Sequence, residues 1–444
     1  MLASLSDRIE SVALRSAPKT AARVLGAIPS SALEALQRVR FRRTLQRAAE
    51  RSSFYREQFR RRGIDVKRVE HPSQLGDFYT TGEDIRTHGA EAFTTGRGDT
   101  AFETTGTTSA VTKRIVFSRR ELDALGCASA AALAVLGLGP DDIVLSAFDC
   151  SFWVSPAVVR TALQYIGCFH VEAGKIPPSE FYERALRYRP SIIFGEPSWI
   201  VRLSEVAGER GTWPVRFLCA GGENLTEEAR RSVERAWGAP LFLSYGQTEA
   251  FGSLGLECRE QHGYHRNDLH FLFEIDAADQ TGQGELVYTT LTREVMPLIR
   301  YRSSDVTHLI DEPCACGLFA RRIAKIHGRA DEMVVCGMGN VGPWVFAELL
   351  RGVPVAGDEW QAVVTCDGRR DIIELRMECD ATLNPACVRR TVLETLRSNF
   401  PDFWKNREMG LYDLRMTVSP AGTLRRERKL RRVVDQREMT TASL

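Results

Sequence analysis

The chain has 444 residues, of which 43% are hydrophobic and 26% are charged. These proportions are those of a globular protein with enough apolar material for about two to three packed domains. The formal net charge of +2 gives no reason to expect a nucleic acid as partner. The N-terminus lacks a continuous apolar segment, and no stretch approaches about 18 uncharged apolar residues, so the sequence predicts neither a secretory signal nor a membrane span.

Cysteine usage predicts a cytoplasmic protein. The 11 cysteines are an odd number for a disulfide framework, and without an export signal most of them are expected to be reduced thiols. Cysteines in apolar segments, such as Cys127, Cys168 and Cys219, are expected to be core residues.

The first two thirds of the chain predict helices followed by an α/β sheet. Residues 6–62 keep apolar residues at helical spacing among many arginines until Gly63. From about Arg114 to Glu249, short apolar segments alternate with helical patterns, and such alternation predicts parallel strands. The predicted strands are DIVLSAF (142–148), GCFHVEA (167–173), PSIIFGE (190–196), VRFLCAGG (215–222) and PLFLSYG (240–246), with helices over 121–137 and 225–238.

The last third predicts more strands and a second, smaller unit. GELVYTTL (284–291) and PLIRYRSSDVTHLI (297–310) are expected to be strands. Residues 359–379 are predicted to be two strands joined at an Asp367-Gly368 hairpin turn. A helix over 388–399 and a strand over 412–419 follow. The predicted domains are therefore residues 1–330 and an α+β unit of residues 331–444.

A threonine-rich turn lies early in the α/β region. FETTGTTSAVTKRIVF (102–117) crowds hydroxyls and backbone N–H groups around one glycine, and such a nest binds anions, most often phosphate. The residues concerned are Thr104, Thr105, Gly106, Thr107 and Thr108. The spacing of a Walker A loop is absent, and a threonine-rich turn taken alone is more often an ordinary surface loop.

Further motifs follow in a fixed order. They are AGGENL (220–225), SYGQTEA (244–250), RYRSSD (300–305), HGRADEM (327–333) and GTLRRERKLRRVVD (422–435). Together with the threonine-rich turn, these motifs resemble the adenylate-forming superfamily, and more closely its phenylacetate–coenzyme A ligase branch. That branch also has the helix and Thr-Thr-x-x-Asp-Ile-Arg segment found within residues 52–86. The resemblance extends from about residue 40 to 437.

The resemblance implies an α/β fold with a large N-terminal domain and a small, mobile α+β C-terminal lid domain. It also implies an ATP site, whose residues would be Thr104, Thr105, Gly106, Thr107 and Thr108 on the phosphates, Gly222, Glu223, Tyr245 and Gly246 at adenine, and Asp305 and Arg329 at ribose. In this resemblance Thr248 would bind the α-phosphate, and Glu249 would hold Mg²⁺, which prefers carboxylate oxygen. Taken singly, Asp305 or Glu223 could equally be a surface carboxylate and Tyr245 a core ring.

The resemblance assigns mechanistic roles to two residues of the small unit, Lys429 and Asp331. Lys429 matches the lysine that bridges the attacking carboxylate and the α-phosphate in this superfamily, a role that suits a concentrated ammonium charge. The alternative for RRERKLRR is a solvated basic segment or a nucleic-acid patch. Asp331 matches the hinge about which the small domain rotates between half-reactions.

A metal site is predicted from three thiols and one imidazole. Cys258, His265, Cys314 and Cys316 have the Cys₃His composition of structural zinc sites, and members of this branch carry zinc at matching positions. The alternatives are reduced thiols without metal, or His262 or His270 as the imidazole ligand.

The resemblance thus implies an ATP- and Mg²⁺-dependent enzyme that activates a carboxylic acid, by analogy an aromatic one, and transfers it to coenzyme A. Phe148, Phe152 and Trp153 form the expected acid-pocket wall, with core packing as the alternative. The family has Arg-Gly where this chain has Gly337-Met338, and that difference leaves the acceptor open. The alternative acceptors are an amine and a carrier-protein thiol. Another alternative is that the enzyme activates nitrite, for the diazotisation of an aryl amine. A non-catalytic nucleotide-binding scaffold is the third alternative. The oligomeric state is also open, with a homodimer as one option.

Overall fold

The computed structural model describes residues 20, 28–104, 112–318, 320–331, 333–351, 353, 355–379, 384–420, 423–424 and 431–437. Over these residues the fold is of mixed α/β class, as the sequence predicts. No described helix combines the length and the apolar character needed to cross a bilayer. The helices are Ser30–Arg51 (α1), Ser53–Arg62 (α2), Gly82–Phe93 (α3), Arg119–Val135 (α4), Ser155–Ile166 (α5), Pro178–Tyr188 (α6), Pro197–Arg210 (α7), Glu227–Trp237 (α8), Pro343–Leu349 (α9), Pro385–Asn399 (α10) and Pro401–Glu408 (α11).

The strands of the described residues form five sheets. They are Thr100–Thr104 (β1), Lys113–Phe117 (β2), Ile143–Ala147 (β3), Phe169–Glu172 (β4), Ile192–Gly195 (β5), Phe217–Gly221 (β6), Leu241–Tyr245 (β7), Gly255–Glu257 (β8), Tyr264–Arg266 (β9), Phe271–Asp276 (β10), Gly284–Thr290 (β11), Tyr301–Thr307 (β12), Leu309–Ile310 (β13), Arg322–Ile323 (β14), Gly328–Arg329 (β15), Val334–Cys336 (β16), Gly339–Val341 (β17), Val355–Cys366 (β18), Asp371–Cys379 (β19), Tyr412–Ser419 (β20) and Val433–Asp435 (β21).

The largest sheet has nine strands in the order β13-β14-β9-β8-β7-β6-β5-β3-β4. Its strands from β4 to β7 are parallel, which confirms the prediction from strand–helix alternation. Every residue of β5 and β6 is buried. Apolar residues of α5 belong to one core cluster and those of α6 and α7 to another, as expected for a parallel sheet covered on both faces. The carboxyl ends of β6 and β7 therefore lie side by side, where ligands bind in such sheets.

A second, antiparallel sheet has the order β10-β11-β12-β15. The prediction of one strand over residues 297–310 is wrong at both ends, because the strand begins only at Tyr301. The strand β12 ends at Thr307, and β13 pairs with β14 in the nine-stranded sheet instead. The fully buried Thr307 donates from Oγ1 to the Ala324 carbonyl oxygen at 2.9 Å, where the chain leaves one sheet for the other. This crossing holds the two sheets together.

The N-terminal helices pack onto the larger unit. They break at Ser52, whose Oγ accepts a hydrogen bond from the Tyr55 N–H and donates to the Ala92 carbonyl oxygen. The buried Tyr55 hydroxyl in turn accepts from the Ile299 N–H at 3.1 Å, beside β12. The helical prediction is confirmed over residues 30–62, and its first part, apart from residue 20 and residues 28–29, lies outside the described residues.

Residues from β16 onward form a smaller unit with its own apolar core. Its sheet has the order β20-β19-β18-β21, and the β18–β19 hairpin closes through four residues, with Gly368 at φ 84°. The sequence predicts α10 but misses α11, whose first residue is Pro401, a favoured residue at that position. Met338 is fully buried in this core. The domain boundary at 330/331 stays a prediction.

One buried ion pair clamps α8 to the central sheet. The Arg230 guanidinium donates to both Glu257 oxygens at 2.8 and 2.9 Å, and the two side chains are 1% and 0% exposed. Glu257 Oε2 also accepts from the Leu243 N–H at 2.7 Å. The pair therefore links α8, β7 and β8 immediately beside the loop that follows β7.

Replacing Arg230 by Met is expected to lower the free energy of unfolding by ~3–5 kcal/mol, because it leaves the Glu257 carboxylate buried without its partner. Urea denaturation measures this. Arg231→Met is the matched control on the exposed face of the same helix, and it should change stability by less than ~0.5 kcal/mol. Equal effects of the two substitutions would show that the buried pair is not a clamp.

Candidate active site

A cavity of about 980 Å³ lies where the carboxyl ends of β6 and β7 meet the second sheet and the smaller unit. It brings together most of the site residues predicted from the sequence. Those that line it are Thr104, Phe148, Trp153, Gly222, Glu223, Tyr245, Gly246, Thr248, Glu249, Asp305, Arg329 and Asp331.

Some predicted residues are not part of this cavity as described. The side chain of Phe152 is 70% exposed and does not line it. Trp153 beside it does line the cavity, and the expected pocket-wall role of Phe152 stays a prediction. Thr105, Gly106, Thr107, Thr108 and Lys429 lie outside the described residues.

Glycines allow the close backbone packing from which the cavity wall is built. A Cβ at Gly246 would lie 2.2 Å from the Gly252 carbonyl oxygen, so only glycine fits after β7. A Cβ at Gly221, the last residue of β6, would lie 2.2 Å from Ser244 Oγ. Gly222 has φ 96°, a conformation that favours glycine. The backbone at both strand ends can therefore approach a ligand closely.

Asp305 is the centre of a buried hydrogen-bond network. Its Oδ2 accepts from the Tyr245 hydroxyl at 2.6 Å and from Gln247 Nε2 at 2.8 Å. Its Oδ1 accepts from Arg329 Nη1 at 2.8 Å. The pairing of β12 with β15 sets Asp305 opposite Arg329. The network therefore joins the loop after β7 to the second sheet.

Arg329 extends the network to the start of the smaller unit. It makes two further hydrogen bonds to the Asp331 carboxylate, at 2.7 and 2.9 Å. Burial lowers the pKa of Arg329, but the carboxylates of Asp305 and Asp331 raise it more, so the guanidinium stays charged. The predicted hinge residue is thus tied directly to the predicted ribose ligand.

Gln247 was not recognised in the sequence. Besides contacting Asp305, its side chain donates to the Ser303 carbonyl oxygen and accepts from the Tyr288 hydroxyl. Its position within SYGQTEA, between two residues singled out for the site, was the only available signal. Its partners lie 41 to 58 positions away in the chain, so the contacts depend on the tertiary fold.

Glu249 lies in the cavity wall with a cation already beside it. Its Oε1 accepts from Lys113 Nζ at 2.5 Å and from the Tyr301 hydroxyl at 2.7 Å. Burial raises the pKa of Glu249, but Lys113 and Tyr301 lower it more, so the carboxylate is ionised. Both contacts are made to Oε1, so an ammonium lies where Mg²⁺ would bind this oxygen, and the expected role of Glu249 as Mg²⁺ ligand stays a prediction. Sequence reasoning missed Lys113, whose only signal was the basic end of the threonine-rich segment.

Glu223 lies in a cluster of buried charge at the far end of the cavity. It accepts from the Ser198 N–H at 2.9 Å, and the Lys175–Glu196 ion pair lies nearby. Burial and the negative charge of Glu196 raise the pKa of Glu223 to about 8. Near neutral pH the carboxyl group is therefore largely protonated and can donate a hydrogen bond to a ligand.

The four predicted metal ligands come together away from this cavity. Cys258 follows β8, His265 lies on β9, and Cys314 and Cys316 precede β14. Their donor atoms all lie within 4.8 Å of one another. Cys258 Sγ is 3.7 Å from Cys314 Sγ, and Cys316 Sγ is 3.3 Å from His265 Nε2. Tetrahedral zinc with bonds of about 2.0–2.3 Å requires donor separations of about this size.

The imidazole of this cluster is oriented for metal binding. His265 Nδ1 lies 2.8 Å from the Ala320 carbonyl oxygen, and a proton on Nδ1 leaves the Nε2 lone pair for the cluster. The two competing histidines are engaged elsewhere: His262 Nδ1 lies 3.0 Å from Arg322 Nη1, and His270 Nδ1 lies 2.7 Å from Thr292 Oγ1. The residues present therefore fit a structural zinc ion.

The parallel sheet and the polar cavity at its strand ends are typical of an α/β enzyme that uses a nucleotide. A family model for AMP-binding enzymes matches residues 101–269. Phenylacetate–coenzyme A ligase of Thermus thermophilus is 29% identical over 371 residues, which cover 80% of this chain and 83% of that enzyme. The phenylacetate–coenzyme A ligase of Escherichia coli is 26% identical over 78% of this chain and 82% of that enzyme.

The fold has a similar solved structure as well. A crystal structure of 2-hydroxyisobutyryl-CoA ligase superposes with a TM-score of 0.77 at 21% identity, covering 93% of this chain and 91% of the other. At this identity the likeness concerns the fold alone. The sequence matches identify an adenylate-forming enzyme that is similar to the phenylacetate–coenzyme A ligases. It is an adenylate-forming ligase.

Replacing Cys314 by Ser should remove bound zinc and lower the melting temperature, because a closed metal site contributes directly to folding. Elemental analysis of protein purified without added metal measures the zinc. The wild type and the control Cys387→Ser, an exposed thiol on α10, should each carry about one zinc per chain. Less than about a tenth of an equivalent in well-folded wild type would refute the zinc site.

Glu223 should make the stability depend on pH. Its folded pKa of about 8 lies above the ordinary value of about 4.3 in the unfolded chain. The stabilisation is therefore complete below the unfolded value and is lost as pH rises through the folded one. Glu223→Gln, which is neutral throughout, should gain stability relative to wild type as pH rises from about 5 to about 8, by at most ~1.4 kcal/mol per pH unit, and the difference should level off above the folded pKa.

Urea denaturation at several pH values measures this difference. Glu209→Gln, at an exposed position on α7, is the matched control and should follow the wild-type pH dependence. Parallel curves for wild type and Glu223→Gln would mean that Glu223 titrates normally in the folded protein.

Proposed function

We propose that this protein is an ATP-dependent ligase that activates a carboxylic acid as its acyl-adenylate, with release of pyrophosphate, and transfers the acyl group to coenzyme A. The observation that carries the proposal is the single cavity at the ends of β6 and β7, which gathers twelve predicted site residues. The relatives named phenylacetate–coenzyme A ligase, of which the chain covers more than four fifths, support coenzyme A as the acceptor.

In this proposal the nucleotide lies across the ends of the two strands. Adenine stacks on Tyr245 and contacts Glu223 at the polar end of the cavity, and a protonated Glu223 donates to a ring nitrogen. The ribose hydroxyls donate to Asp305, which the network of Tyr245, Gln247 and Arg329 holds in place. The α-phosphate then lies near Thr248 and the triphosphate extends toward Thr104, whose buried Oγ1 has no hydrogen-bond partner among the described residues.

The reaction has two steps. A carboxylate oxygen of the acid attacks the α-phosphorus of ATP, and the bond to the bridging oxygen of pyrophosphate breaks. The thiolate of coenzyme A then attacks the acyl carbon, and AMP leaves. We assign Lys429 to the first step, where its ammonium stabilises the charge that develops on the phosphoryl oxygens. Mg²⁺ would enter on the ATP phosphates, since Glu249 is already paired with Lys113.

The acid is proposed to bind in a smaller, apolar cavity of about 240 Å³ beside the nucleotide. The two cavities share Phe148, Val158 and Gly252 at their junction. Phe194, Cys219 and Leu256 continue the apolar wall. The wall is mainly apolar, with Arg266, Asp268 and Arg321 lining its remaining part. A mainly apolar wall of this size favours an apolar acyl group, and an aromatic acid fits the analogy with the named relatives.

The acceptor is the least constrained part of the proposal. Met338, which motivated acceptors other than coenzyme A, is buried in the core of the smaller unit, and Asn406 Nδ2 donates to its carbonyl oxygen. In this arrangement its side chain therefore packs within that unit rather than toward the large cavity. An amine, a carrier-protein thiol and activation of nitrite remain distinct outcomes of the experiment below.

ATP–pyrophosphate exchange, screened over aromatic and aliphatic acids of graded size, tests the proposal. We expect exchange with at least one apolar acid, and conversion of its adenylate to a thioester only when coenzyme A is present. If exchange occurs without thioester formation, and a product forms only when an amine or a carrier protein is added, that compound and not coenzyme A is the acceptor. If exchange occurs with nitrite and with no carboxylic acid, nitrite is the acid that the enzyme activates. No exchange with any acid would favour a non-catalytic nucleotide-binding protein.

Replacing Lys429 by Ala should slow adenylate formation at least ~100-fold, the scale of losing one preorganised charge at the reacting phosphate. ATP affinity at equilibrium should stay within about twofold, because adenine and ribose are held by the larger unit. Single-turnover assays and calorimetry measure the two quantities. Lys405→Ala, on the exposed side of α11, is the control, and near wild-type adenylation by the Lys429 variant would exclude the assigned role.

A further inference from the structure

Lys113 occupies an unusual position for a lysine. In β2 the side chains of Lys113, Ile115 and Phe117 are buried, while Arg114 between them is exposed. Lys113 therefore lies on the inward face of its strand, and its side chain is only 10% exposed. A buried ammonium requires a charged or polar partner, since transfer of an unpaired charge from water is very costly.

The partners of Lys113 are also buried. Its Nζ lies 2.5 Å from Glu249 Oε1 and 3.1 Å from the Tyr301 hydroxyl, and Tyr301 donates to the same carboxylate oxygen. The Glu249 side chain is 4% exposed and Tyr301 is 3% exposed. All three line the large cavity. The ammonium thus contacts the carboxylate that the superfamily resemblance assigns to a divalent metal.

The neighbouring helix leaves room for this lysine. A Cβ at Gly82, the first residue of α3, would lie 3.2 Å from Lys113 Nζ and 3.3 Å from its Cδ. The glycine therefore lets the lysine stem pass close to the helix N-terminus. Thr81 and Arg86 of the same region also line the cavity, together with Glu83, which pairs with Arg86.

We propose that the Lys113 ammonium takes the place of the divalent cation at Glu249, so that the protein side of the phosphate site is an organic cation and not a metal. This inference rests on the nucleotide site of the proposed function. A metal bound to Glu249 Oε1 at about 2.1 Å would lie no more than about 5 Å from the ammonium, and the two charges repel. An ammonium has three N–H donors, so Lys113 can hold Glu249 and Tyr301 and still contact a phosphoryl oxygen.

The inference differs from a purely structural ion pair in what it predicts for nucleotide binding. A pair that only stabilises the fold has no effect on nucleotide affinity. A cation that contacts phosphate raises nucleotide affinity. If Lys113 is removed, a metal bound by the freed Glu249 should restore that affinity. Recovery of nucleotide affinity by added metal, only when Glu249 is present, therefore distinguishes a phosphate-binding lysine from a purely structural ion pair.

AMP is the probe, because it lacks the β- and γ-phosphates that bind Mg²⁺ independently of the protein. Calorimetry should give a wild-type Kd for AMP that is equal within about twofold in EDTA and in MnCl₂. Lys113→Met should weaken AMP binding at least about tenfold in EDTA and regain most of it in MnCl₂. The double variant Lys113→Met/Glu249→Gln should lose this rescue, and Lys113→Arg should remain independent of metal.

Electron paramagnetic resonance of Mn²⁺ in the presence of AMP gives a second readout. We expect the wild type and Glu249→Gln to give the same Mn²⁺ signal, because Glu249 does not bind the metal in the wild type. Binding by the wild type that disappears in Glu249→Gln would overturn the inference, and this comparison holds even if Lys113→Met fails to fold. An unchanged AMP affinity in folded Lys113→Met would also overturn it. If wild type binds no AMP under any condition, the proposed function itself falls.

Discussion

The buried ion pair between Asp305 and Arg329 holds the candidate active site together. Its two members lie opposite each other on β12 and β15, and both are joined to residues from other parts of the chain. Tyr245 and Gln247 bring in the loop after β7, and Asp331 brings in the first residues of the smaller unit. Removing water from these groups is costly, and the cost is met only because each oxygen and each N–H named here has a partner. The cavity depends on this arrangement.

The arrangement also suggests how binding and domain movement are linked. Arg329 is shared between Asp305, the proposed ribose ligand, and Asp331, the predicted hinge. A nucleotide whose ribose hydroxyls compete for the Asp305 oxygens weakens the contact between Asp305 and Arg329. Arg329 then keeps its two hydrogen bonds to the Asp331 carboxylate. A ligand shifts such an equilibrium only through its different affinity for the two states. The shared guanidinium offers a physical source for that difference.

The predicted zinc ligands and the Arg230–Glu257 pair lie beside β7, on the side of β8. Cys258 follows Glu257 directly, so the predicted metal and the ion pair fix adjacent residues at the end of β8. The strand that carries Tyr245 is thereby held on this side. Rigid support of this kind places catalytic side chains more accurately than a loop alone.

Local features of the fold were predictable from the sequence, and contacts between distant segments were not. The parallel strands could be predicted because a covered sheet needs continuous apolar segments separated by helices, and the site residues follow those strands in order. The Lys113–Glu249 pair joins positions 136 residues apart, so no local pattern reveals it. The same holds for Gln247 and its partners. Phe152 is exposed in this arrangement while Trp153 lines the cavity, so apolar character alone does not predict which aromatic residue after a strand faces the cavity.

A crystal structure of the protein with AMP, grown in the presence of MnCl₂, tests the central claim most directly. The account predicts adenine against Tyr245, the ribose hydroxyls within hydrogen-bond distance of Asp305, and a phosphate oxygen beside Lys113 Nζ, with no anomalous manganese peak on Glu249. AMP bound outside this cavity, or its ribose turned away from Asp305, would contradict the account.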